Sequence, residues 1–519
     1  MKMIYDVNDR PPFGKLVVFS LQQLLAIITA TIAVPMVVSG SVSGEQALVM
    51  NPAAAMIGAG FGTITYLLFT KFKSPVFLGS SFAFISPLIG AVTYGYFGVL
   101  LGAAFAAVGY ALIALVVYLA GTNWINKLMP PVVIGPTVAL IGLSLAGSAM
   151  GDITHASGVG SVLNQYGEAV NNYNLVALLC GLVTFFVVVF CSLKGNKTMK
   201  LIPFVIGIIA GYALAAIFSA IGYGAEVEYL KIVNWQPLID NFKPVAPESF
   251  INWDFSFLHT SGGNIQQLDG AGVAQIALLY LPVTFVVFAE HLADHKNISN
   301  IIERDLLKDP GLHRTLLGDG IGSFVGAVWG GSPNTTYGES VGCVAITRNA
   351  SVLSILGASV LAIVLAFCSP VVAFMETIPA CVMGGVCLSL YGFIAVSGLN
   401  MLRGIDLGES KNLFVVCSIL IAGIGGLSIK FGAEADGSNP VIEISSIATA
   451  LILGILVNVL FKEKKDEEPV DSVPSGYVEV SKSVSAPDEV NIITEDANGN
   501  LVESADEKKE SETAESENI

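Results

Sequence analysis

Long apolar runs cover most of residues 14–461 and decide what this chain can fold into. A helix that crosses a bilayer needs about 20 predominantly apolar residues, so each run is a candidate membrane span. Hydropathy places fourteen of them, at 14–38, 47–70, 75–95, 97–120, 131–148, 173–192, 201–222, 274–296, 312–330, 332–347, 350–373, 379–398, 412–428 and 444–461. Because 53% of the 519 residues are hydrophobic and 13% are charged, a water-soluble globular protein is excluded. The sequence predicts an all-α polytopic membrane protein.

The positively charged residues give the orientation of these spans. If the N-terminus is inside, 17 of the 20 lysines and arginines up to Lys462 fall on the cytoplasmic side. The exceptions are Lys231, Lys243 and Lys430. Cytoplasmic loops collect positive charge, so an even number of spans with both termini cytoplasmic is predicted. Two longer external segments, about 149–172 and 223–273, interrupt the spans, and no chemistry is assigned to them.

The C-terminal tail and the cysteines offer no candidate chemistry. Residues 462–519 contain 17 acidic and 6 basic residues and lack apolar periodicity, which predicts a disordered acidic cytoplasmic tail. This tail accounts for −11 of the chain's net charge of −16. All seven cysteines lie in apolar runs and are predicted to be buried fillers rather than disulfide partners.

Two of the predicted spans begin with polar and small residues that an uninterrupted lipid-facing helix would not contain. Span ten begins with the polar run Gly330–Glu339, and span three begins with Gly79–Pro87. Irregular backbone at membrane depth is stable only where protein or a water-filled cavity surrounds it. We therefore expect a short extended piece followed by a half-helix, whose free N–H groups point at the membrane centre. The alternative for span ten is an extramembrane loop.

The two broken segments are seven spans apart, and an odd offset inverts the second half of the chain relative to the first. The prediction is thus about fourteen spans in two inverted repeats of seven, with spans three and ten each broken into a short strand and a half-helix. Paired broken helices in inverted repeats indicate a binding site near the membrane centre, where the positive ends of both half-helices meet.

Acidic residues inside predicted spans are candidate functional groups, because a charge within a membrane is costly. Glu290 and Asp294 are four residues apart on one face of span eight, and carboxylates so close favour holding a proton between them. The alternative for Asp294 is a solvated position at the cytoplasmic end. Asp319, among glycines of span nine, is a candidate for bracing the packing or, less favoured, for relaying a proton. Glu339, beside helix N–H groups, is the strongest candidate, because a carboxylate next to backbone N–H groups matches a ligand that presents N–H donors beside C=O acceptors.

Metal and enzyme chemistry fit the sequence poorly. His291 and His295 are four residues apart, but Glu290 precedes the first histidine, whereas the metalloprotease helix has its glutamate after it. No third ligand follows at useful spacing, so no metal site and no cofactor are predicted. An intramembrane enzyme is disfavoured, because neither an Asp-rich diphosphate motif nor a Ser/His pair lies at credible depth.

The pattern Asn-Thr-Thr-Tyr-Gly-Glu-x-x-Gly-x-x-x-Ile-Thr-Arg at Asn334–Arg348 resembles the signature of the nucleobase/ascorbate transporter family, or nucleobase:cation symporter-2. The resemblance is greatest to its bacterial uracil permease branch and extends over about residues 11–461. It implies proton symport, a homodimer in many members, and two domains. The implied core domain comprises residues 1–120 (spans 1–4) and 274–373 (spans 8–11), and the implied gate domain comprises residues 121–273 (spans 5–7) and 374–461 (spans 12–14).

The same resemblance implies roles for individual residues. Glu290 of the Ala-Glu-His motif and Glu339 of the Tyr-Gly-Glu motif would hold the nucleobase, with Phe82 and Ala30 completing the pocket. Gly338 and Ser340, on either side of Glu339, are added as candidate substrate-binding residues. The candidate proton-coupling residues are Glu290, Asp294 and Asp319.

This chain also departs from the family pattern at three positions. Gln23 replaces a histidine of span one, and Ser340 replaces the asparagine after the signature glutamate. In relatives that histidine and asparagine lie close together, so Gln23 and Ser340 are expected to form a hydrogen-bonding pair instead. Asp294 replaces a histidine of some uracil permeases, as in branches that take xanthine or urate, whereas the loop Arg304–Arg314 follows the uracil branch.

The sequence as a whole predicts a proton-coupled symporter that imports a nucleobase, most closely uracil, across the cytoplasmic membrane by movement of the core against the gate. One alternative is a xanthine or purine symporter of the same family. The other is an anion transporter of the related sulfate-transporter fold, against which Glu339 argues, because a carboxylate at the half-helix ends repels anions. The predicted partners are a nucleobase, protons, membrane lipids and a second copy of the chain, without nucleic acid.

Overall fold

Helices make up most of the computed structural model, which describes residues 3–41, 50–154, 174–243, 245, 249–252, 268, 270–431, 442–461, 493–495 and 501–503. Met1–Glu463 form one compact unit and Lys464–Ile519 a second. In the second unit the described residues are two strands, β5 (Ile493–Glu495) and β6 (Leu501–Glu503), which pair antiparallel. The rest of the predicted disordered tail lies outside the described residues.

The first half of the larger unit contains one strand among its helices. The elements are α1 (Phe13–Ser41), α2 (Pro52–Phe69), β1 (Leu78–Ser80), a 3-10 turn (Phe82–Phe84), α3 (Ile85–Val92), α4 (Gly95–Ala120), α5 (Asn123–Leu128), α6 (Pro131–Ser144), α7 (Ala146–Thr154), α8 (Leu175–Lys194), α9 (Lys197–Leu201), α10 (Pro203–Ala225), a 3-10 turn (Glu228–Leu230) and α11 (Gln236–Asn241).

The second half repeats the combination of long helices with one short buried strand. Its elements are α12 (Gly270–Ile302), a helical turn (Leu307–Gly311), α13 (Leu312–Val328), β2 (Asn334–Thr336), α14 (Gly338–Thr347), α15 (Val352–Ala366), α16 (Ser369–Glu376), α17 (Ala380–Asn400), α18 (Ser410–Ile424), β3 (Ile429–Phe431), β4 (Ile442–Ile444) and α19 (Ser446–Leu460). Strands β3 and β4 pair antiparallel.

The predicted fold class is confirmed, and every predicted span coincides with a helix or with a strand followed by a helix. Among the described residues, eight helical segments are long and apolar enough to cross a membrane, α6 and α7 counting as one. The number of spans, fourteen, stays a prediction, because the other segments are shorter. Both predicted breaks are present: β1 precedes the turn and α3, and β2 precedes α14.

Three details differ from the prediction. The fifth span continues through α7 to Thr154, so the first external segment begins later than residue 149. Helix α12 already begins at Gly270, which shortens the second external segment, much of which lies outside the described residues. Cys417 is exposed on α18 and Cys368 is half-buried, so the prediction of buried fillers is wrong for Cys417 and holds fully for the other five cysteines.

Helices α2 and α13 approach each other so closely that side chains would not fit between them. A Cβ atom on Gly58 would lie 2.5 Å from the carbonyl oxygen of Gly326, and one on Gly62 would lie 2.7 Å from that of Gly322. Small residues are what allow membrane helices to pack at such short distances. This contact matters for the site because the Asn334 amide, at the start of β2, donates to the Gly58 carbonyl oxygen at 3.0 Å.

The helices pack in two groups. Helix α13 packs against α2 and α4, α15 packs against α1 and α2, and α12 packs against α4. In the other group, α17 packs against α6, α7 and α8, α18 packs against α6 and α19, and α10 packs against α8.

Candidate functional site

The two short strands are buried inside the larger unit, and the candidate site lies beside them. They pair antiparallel, with Leu78 opposite Thr336 and Ser80 opposite Asn334, as two repeats of opposite orientation require. The pairing is extended by hydrogen bonds from the Tyr337 N–H to the Phe77 carbonyl oxygen at 3.1 Å and from the Ser81 N–H to the Pro333 carbonyl oxygen at 3.0 Å. The backbone of these buried strands is therefore hydrogen-bonded without water.

Glycine at position 79 lets an aromatic ring cross the strand pair. A Cβ atom there would lie 2.3 Å from the Tyr337 ring, which no side chain tolerates. The Tyr337 hydroxyl donates to the Ser80 carbonyl oxygen at 2.7 Å, which fixes the ring at the start of α14. Gly338 and Glu339 follow in the first turn of α14, where the N–H groups of a helix are free to bind a ligand.

Helix α12 brings two further carboxyl groups to the same place. Glu290 and Asp294 lie four residues apart, on one face of the helix, as the sequence predicted. The Thr336 hydroxyl donates to Oδ2 of Asp294 at 3.0 Å, so strand β2 holds this carboxyl group directly. Oε2 of Glu290 is buried and has no hydrogen-bond partner among the described residues. A buried acceptor without a partner is costly, which favours a ligand that donates to it.

A cavity of about 460 Å³ joins these groups. Its lining includes Phe82, Glu290, Asp294, Gly338 and Glu339, and the opposite wall comes from α6, α8, α9, α10 and α17. The residues of that opposite wall are Val138, Ser192, Lys200, Leu201, Pro203, Phe204, Phe393, Ile394 and Ser397. Three carboxyl groups and one lysine therefore share a cavity whose walls are otherwise largely apolar, the composition typical of a small-molecule site.

Five of the predicted site residues line this cavity and three do not. Glu290, Glu339, Phe82, Gly338 and Asp294 line it. Ala30, Ser340 and Asp319 are completely buried and lie outside its lining. Phe82 also packs edge-on against the ring of Tyr391 on α17, with ring centroids 5.4 Å apart.

Ser340 does not line the cavity, because its hydroxyl binds α1 and the segment before β1. The Gln23 side-chain amide donates to Oγ of Ser340, and the Phe77 N–H donates to the same atom at 3.0 Å. The predicted pairing of Gln23 with Ser340 is thus present. It joins α1, the segment before β1, and α14, so its contribution to the site is to hold the half-helix in position.

Asp319 lies behind β2, in a polar cluster that the sequence did not reveal. Its Oδ2 atom accepts from the Tyr110 hydroxyl at 3.1 Å and from the Thr335 hydroxyl at 3.3 Å, and lies 2.7 Å from Nδ1 of His291. Nε2 of His291 lies 3.0 Å from Oγ1 of Thr315. Among the described residues no group of three or more His, Cys, Asp or Glu side chains is arranged to hold a metal ion.

Sequence reasoning missed several residues of the site because their signals were weak. Tyr337 belongs to the family signature at Asn334–Arg348, but nothing in the sequence distinguishes it from an ordinary aromatic residue. Asn297 lies three residues after Asp294 and shares its helix face, so helical spacing was a signal for it. Lys200 and Phe393 come from the opposite wall, and no pattern in the sequence places them near Glu290.

Known proteins are similar in sequence to this chain over most of its length. A family model described as "Permease family" (Xan_ur_permease) matches residues 14–430. The uracil permease of Bacillus caldolyticus is 35% identical over 88% of this chain and 95% of its own length. The uracil permease of Bacillus subtilis is 36% identical over 90% of this chain and 97% of its own length. A solved structure of the murine Solute Carrier 26 family member A9 anion transporter, in the inward-facing state, is 12% identical. It matches with a TM-score of 0.51 over 87% of this chain and 69% of that chain, which indicates a shared fold alone.

Proposed function

Since the chain belongs to this permease family, and is a multi-pass membrane transporter rather than an enzyme, we propose that it is a proton-coupled symporter that imports uracil across the cytoplasmic membrane. The observation that carries this proposal is the pair Glu290 and Glu339 in one cavity at the start of a half-helix. Uracil presents N–H donors next to C=O acceptors along its ring. Carboxylate oxygens accept from the former, and the N–H groups at the N-terminus of α14 donate to the latter.

The aromatic rings beside the carboxyl groups support a flat substrate. Phe82 and Tyr337 both line the cavity, and each is held from behind, Phe82 by Tyr391 and Tyr337 by its bond to Ser80. Aromatic faces bind a planar ring through stacking and dispersion, while the polar groups set its orientation. We assign substrate binding to Glu290, Glu339, Phe82 and Gly338. For Ala30 and Ser340 we propose an indirect role, through the packing of α1 and α14.

Proton coupling is proposed for Glu290, Asp294 and Asp319. Glu290, Asp294 and Glu339 share one cavity with a single lysine, Lys200, so their ionised forms repel one another. A proton taken up together with a neutral nucleobase relieves that repulsion. The inward proton gradient would thereby drive uracil accumulation.

The proposed mechanism is alternating access of a core domain against a gate domain. The two packing groups of helices agree with a core of residues 1–120 and 274–373 and a gate of 121–273 and 374–461. The cavity lies between the groups and extends to Lys200 and Asn297, both next to predicted cytoplasmic loops. This position supports an inward-facing conformation. Both termini in the cytoplasm, contact with membrane lipids and assembly as a homodimer complete the proposal.

The uptake test described below also distinguishes uracil from two other classes of substrate. A xanthine or purine symporter of the same family would use the same two glutamates, and Asp294 is the residue that favours it. An anion transporter would share the fold, but Glu339 at the N-terminus of α14 would repel its substrate.

The test is uptake of radiolabelled uracil into proteoliposomes with an inward proton gradient, in competition with unlabelled thymine, xanthine, guanine or sulfate. The proposal predicts accumulation that a protonophore collapses and that thymine blocks but purines and sulfate do not. Transport of xanthine or another purine without uracil would keep the family and replace the substrate. Sulfate transport without nucleobase transport would overturn the assignment.

A further inference from the structure

A pair of ionisable side chains lies behind β2, apart from the substrate cavity. His291 on α12 and Asp319 on α13 have no exposed side-chain surface, and their Nδ1 and Oδ2 atoms are 2.7 Å apart. Every other hydrogen bond of these two side chains described above goes to a hydroxyl group, of Tyr110, Thr315 or Thr335. Among the residues that the structure describes, no lysine or arginine takes part in this cluster, so a lone charge there would be expensive.

The hydrogen bonds of His291 define how many protons the pair holds. The Thr315 hydroxyl donates to the Leu312 carbonyl oxygen at 3.0 Å, which uses its single proton. Nε2 of His291 lies 3.0 Å from the same hydroxyl oxygen, and in the tautomer that fits this bond it is the donor in that contact. Nδ1 and Oδ2 of Asp319 need a second proton between them, because two lone pairs would otherwise face each other.

That second proton makes the pair neutral. It resides either on the ring, giving an imidazolium beside a carboxylate, or on the carboxyl group, giving a neutral ring beside an acid. In both forms the pair carries one proton more than a neutral imidazole and a carboxylate. Complete burial favours this neutral total, since an uncompensated buried charge is destabilising.

The neighbouring His295 makes a useful contrast. Its Nδ1 atom lies 2.8 Å from the His291 carbonyl oxygen and therefore carries a proton, and its Nε2 atom lies 2.7 Å from the Tyr66 hydroxyl. The Tyr66 hydroxyl in turn lies 2.7 Å from Oγ of Ser74. Because hydroxyl groups both donate and accept, a neutral His295 ring can make all of these hydrogen bonds without an extra proton.

Strand β2 connects the pair to the cavity. Successive side chains of a strand point to opposite sides. Thr335 accordingly donates to Asp319 at 3.3 Å behind the strand, and Thr336 donates to Asp294 at 3.0 Å on the cavity side. The strand leads directly into Gly338 and Glu339. A change of charge at Asp319 therefore acts on the strand that holds Asp294 and begins the substrate half-helix.

We propose that His291 and Asp319 form a second proton-binding site of the transporter, which holds one proton between Nδ1 and Oδ2 and exchanges it during transport. The exchange of this proton during transport rests on the proposed function. The shared proton itself is a property of the substrate-free protein. The titratable groups around the pair are His295 on α12, Tyr110 on α4 and Tyr66 on α2, with Glu290, Asp294 and Glu339 across β2. His291 acts through Asp319 and β2, as a positioning residue that does not touch the substrate.

The first test needs no substrate. Infrared difference spectra of the reconstituted protein are recorded across roughly pH 5 to pH 9, a range that includes the ordinary pKa of a histidine. We expect a titrating carboxyl or imidazolium band in the wild type that disappears in both Asp319→Asn and His291→Gln. His295→Gln, which changes an equally buried and stacked ring, is the matched control and should keep the band. A band that survives in both pair variants, or no titrating band in the wild type, overturns the shared proton.

The second test measures exchange of that proton. Calorimetry of uracil binding in buffers of different ionisation enthalpy counts the protons taken up per uracil. The measurement is made at a pH above the titration of the pair, where the substrate-free wild type has released the shared proton and takes it up again with uracil. Asp319→Asn, in which the amide neither binds nor releases a proton, should then take up one proton fewer than the wild type, as should His291→Gln, while His295→Gln should match the wild type. Wild-type proton counts in both pair variants overturn the role in transport. If the wild type binds no uracil, the proposed function fails, and the infrared result still decides the proton site.

Discussion

Glu290 and Glu339 are both carboxyl groups of the cavity, but their surroundings differ. Glu339 lies in the first turn of α14, where free N–H groups lie beside it. Glu290 is in the middle of a continuous helix and has a buried oxygen without a partner among the described residues. The first environment suits the orientation of a substrate, and the second suits gain and loss of a proton.

Replacing Glu339 by glutamine should weaken uracil binding by roughly 10- to 100-fold, since a hydrogen bond to a charged group contributes about 1.5–3 kcal/mol. Binding of radiolabelled uracil to purified protein measures this loss. Glu226→Gln, at an exposed glutamate after α10, is the control and should bind normally. Unchanged affinity in Glu339→Gln would remove this residue from the site.

Replacing Glu290 by glutamine should keep part of the binding and abolish the response of uptake to the pH gradient. The amide retains the size and hydrogen-bonding capacity of the side chain, but it cannot take up a proton. Uptake into proteoliposomes with and without an inward proton gradient is the measurement. Near-wild-type gradient-driven uptake in both Glu290→Gln and Glu339→Gln would refute the assignment of the two glutamates.

At the scale of elements, the position of β2 depends on how closely α2 and α13 approach each other. Gly58→Ala would place a Cβ atom 2.5 Å from the Gly326 carbonyl oxygen. It would push α2, whose Gly58 carbonyl oxygen accepts from the Asn334 amide, away from α13. Overpacking of this kind costs about 1–3 kcal/mol, so we expect a lower unfolding temperature and weaker uracil binding. Thermal unfolding in detergent is the measurement. Gly392→Ala on α17 meets no atom within 4 Å and should match the wild type.

The short helix α9 touches the half-helix α14 at one place. Leu201 packs with Ala26 of α1 and Cys343 of α14 in a small cluster separate from the main hydrophobic core. If the gate moves against the core, this contact must break in each cycle. Oxidative cross-linking of Leu201→Cys to the native Cys343 should therefore stop uptake, and reduction should restore it.

The matched control for this experiment is Leu201→Cys combined with Cys343→Ala, which leaves the other six native cysteines in place. Oxidation should not inhibit that variant. Full uptake by the cross-linked protein would contradict movement of α9 relative to α14.

On the scale of the whole molecule, transport is expected to reside in Met1–Glu463, which forms a compact unit by itself. A chain that ends after Glu463 should take up uracil like the full chain, because every cavity residue named above lies in Met1–Glu463. Uptake per reconstituted molecule measures this. A chain that ends after Ile444, and thus lacks α19, is the control and should lose activity, since α18 would lose one of its two packing partners, α6 and α19.

The amino-acid sequence by itself determined the class of protein, the positions of its helices and both breaks, because hydropathy and local polarity act within one segment. It also paired Glu290 with Asp294, since helical spacing alone puts residues four apart on one face. Resemblance to the family supplied Phe82 as a cavity residue, and the position next to Glu339 supplied Gly338.

Tertiary structure decided everything that depends on which helix lies opposite which. It placed Ser340 outside the lining of the cavity, and it put Asp319 beside His291 behind β2. It brought Lys200 of α9 into the same cavity as Glu290. Periodicity reports the direction of a side chain around its own helix axis. It carries no information on the neighbour that the side chain meets, because that is set by close packing between segments far apart in the chain.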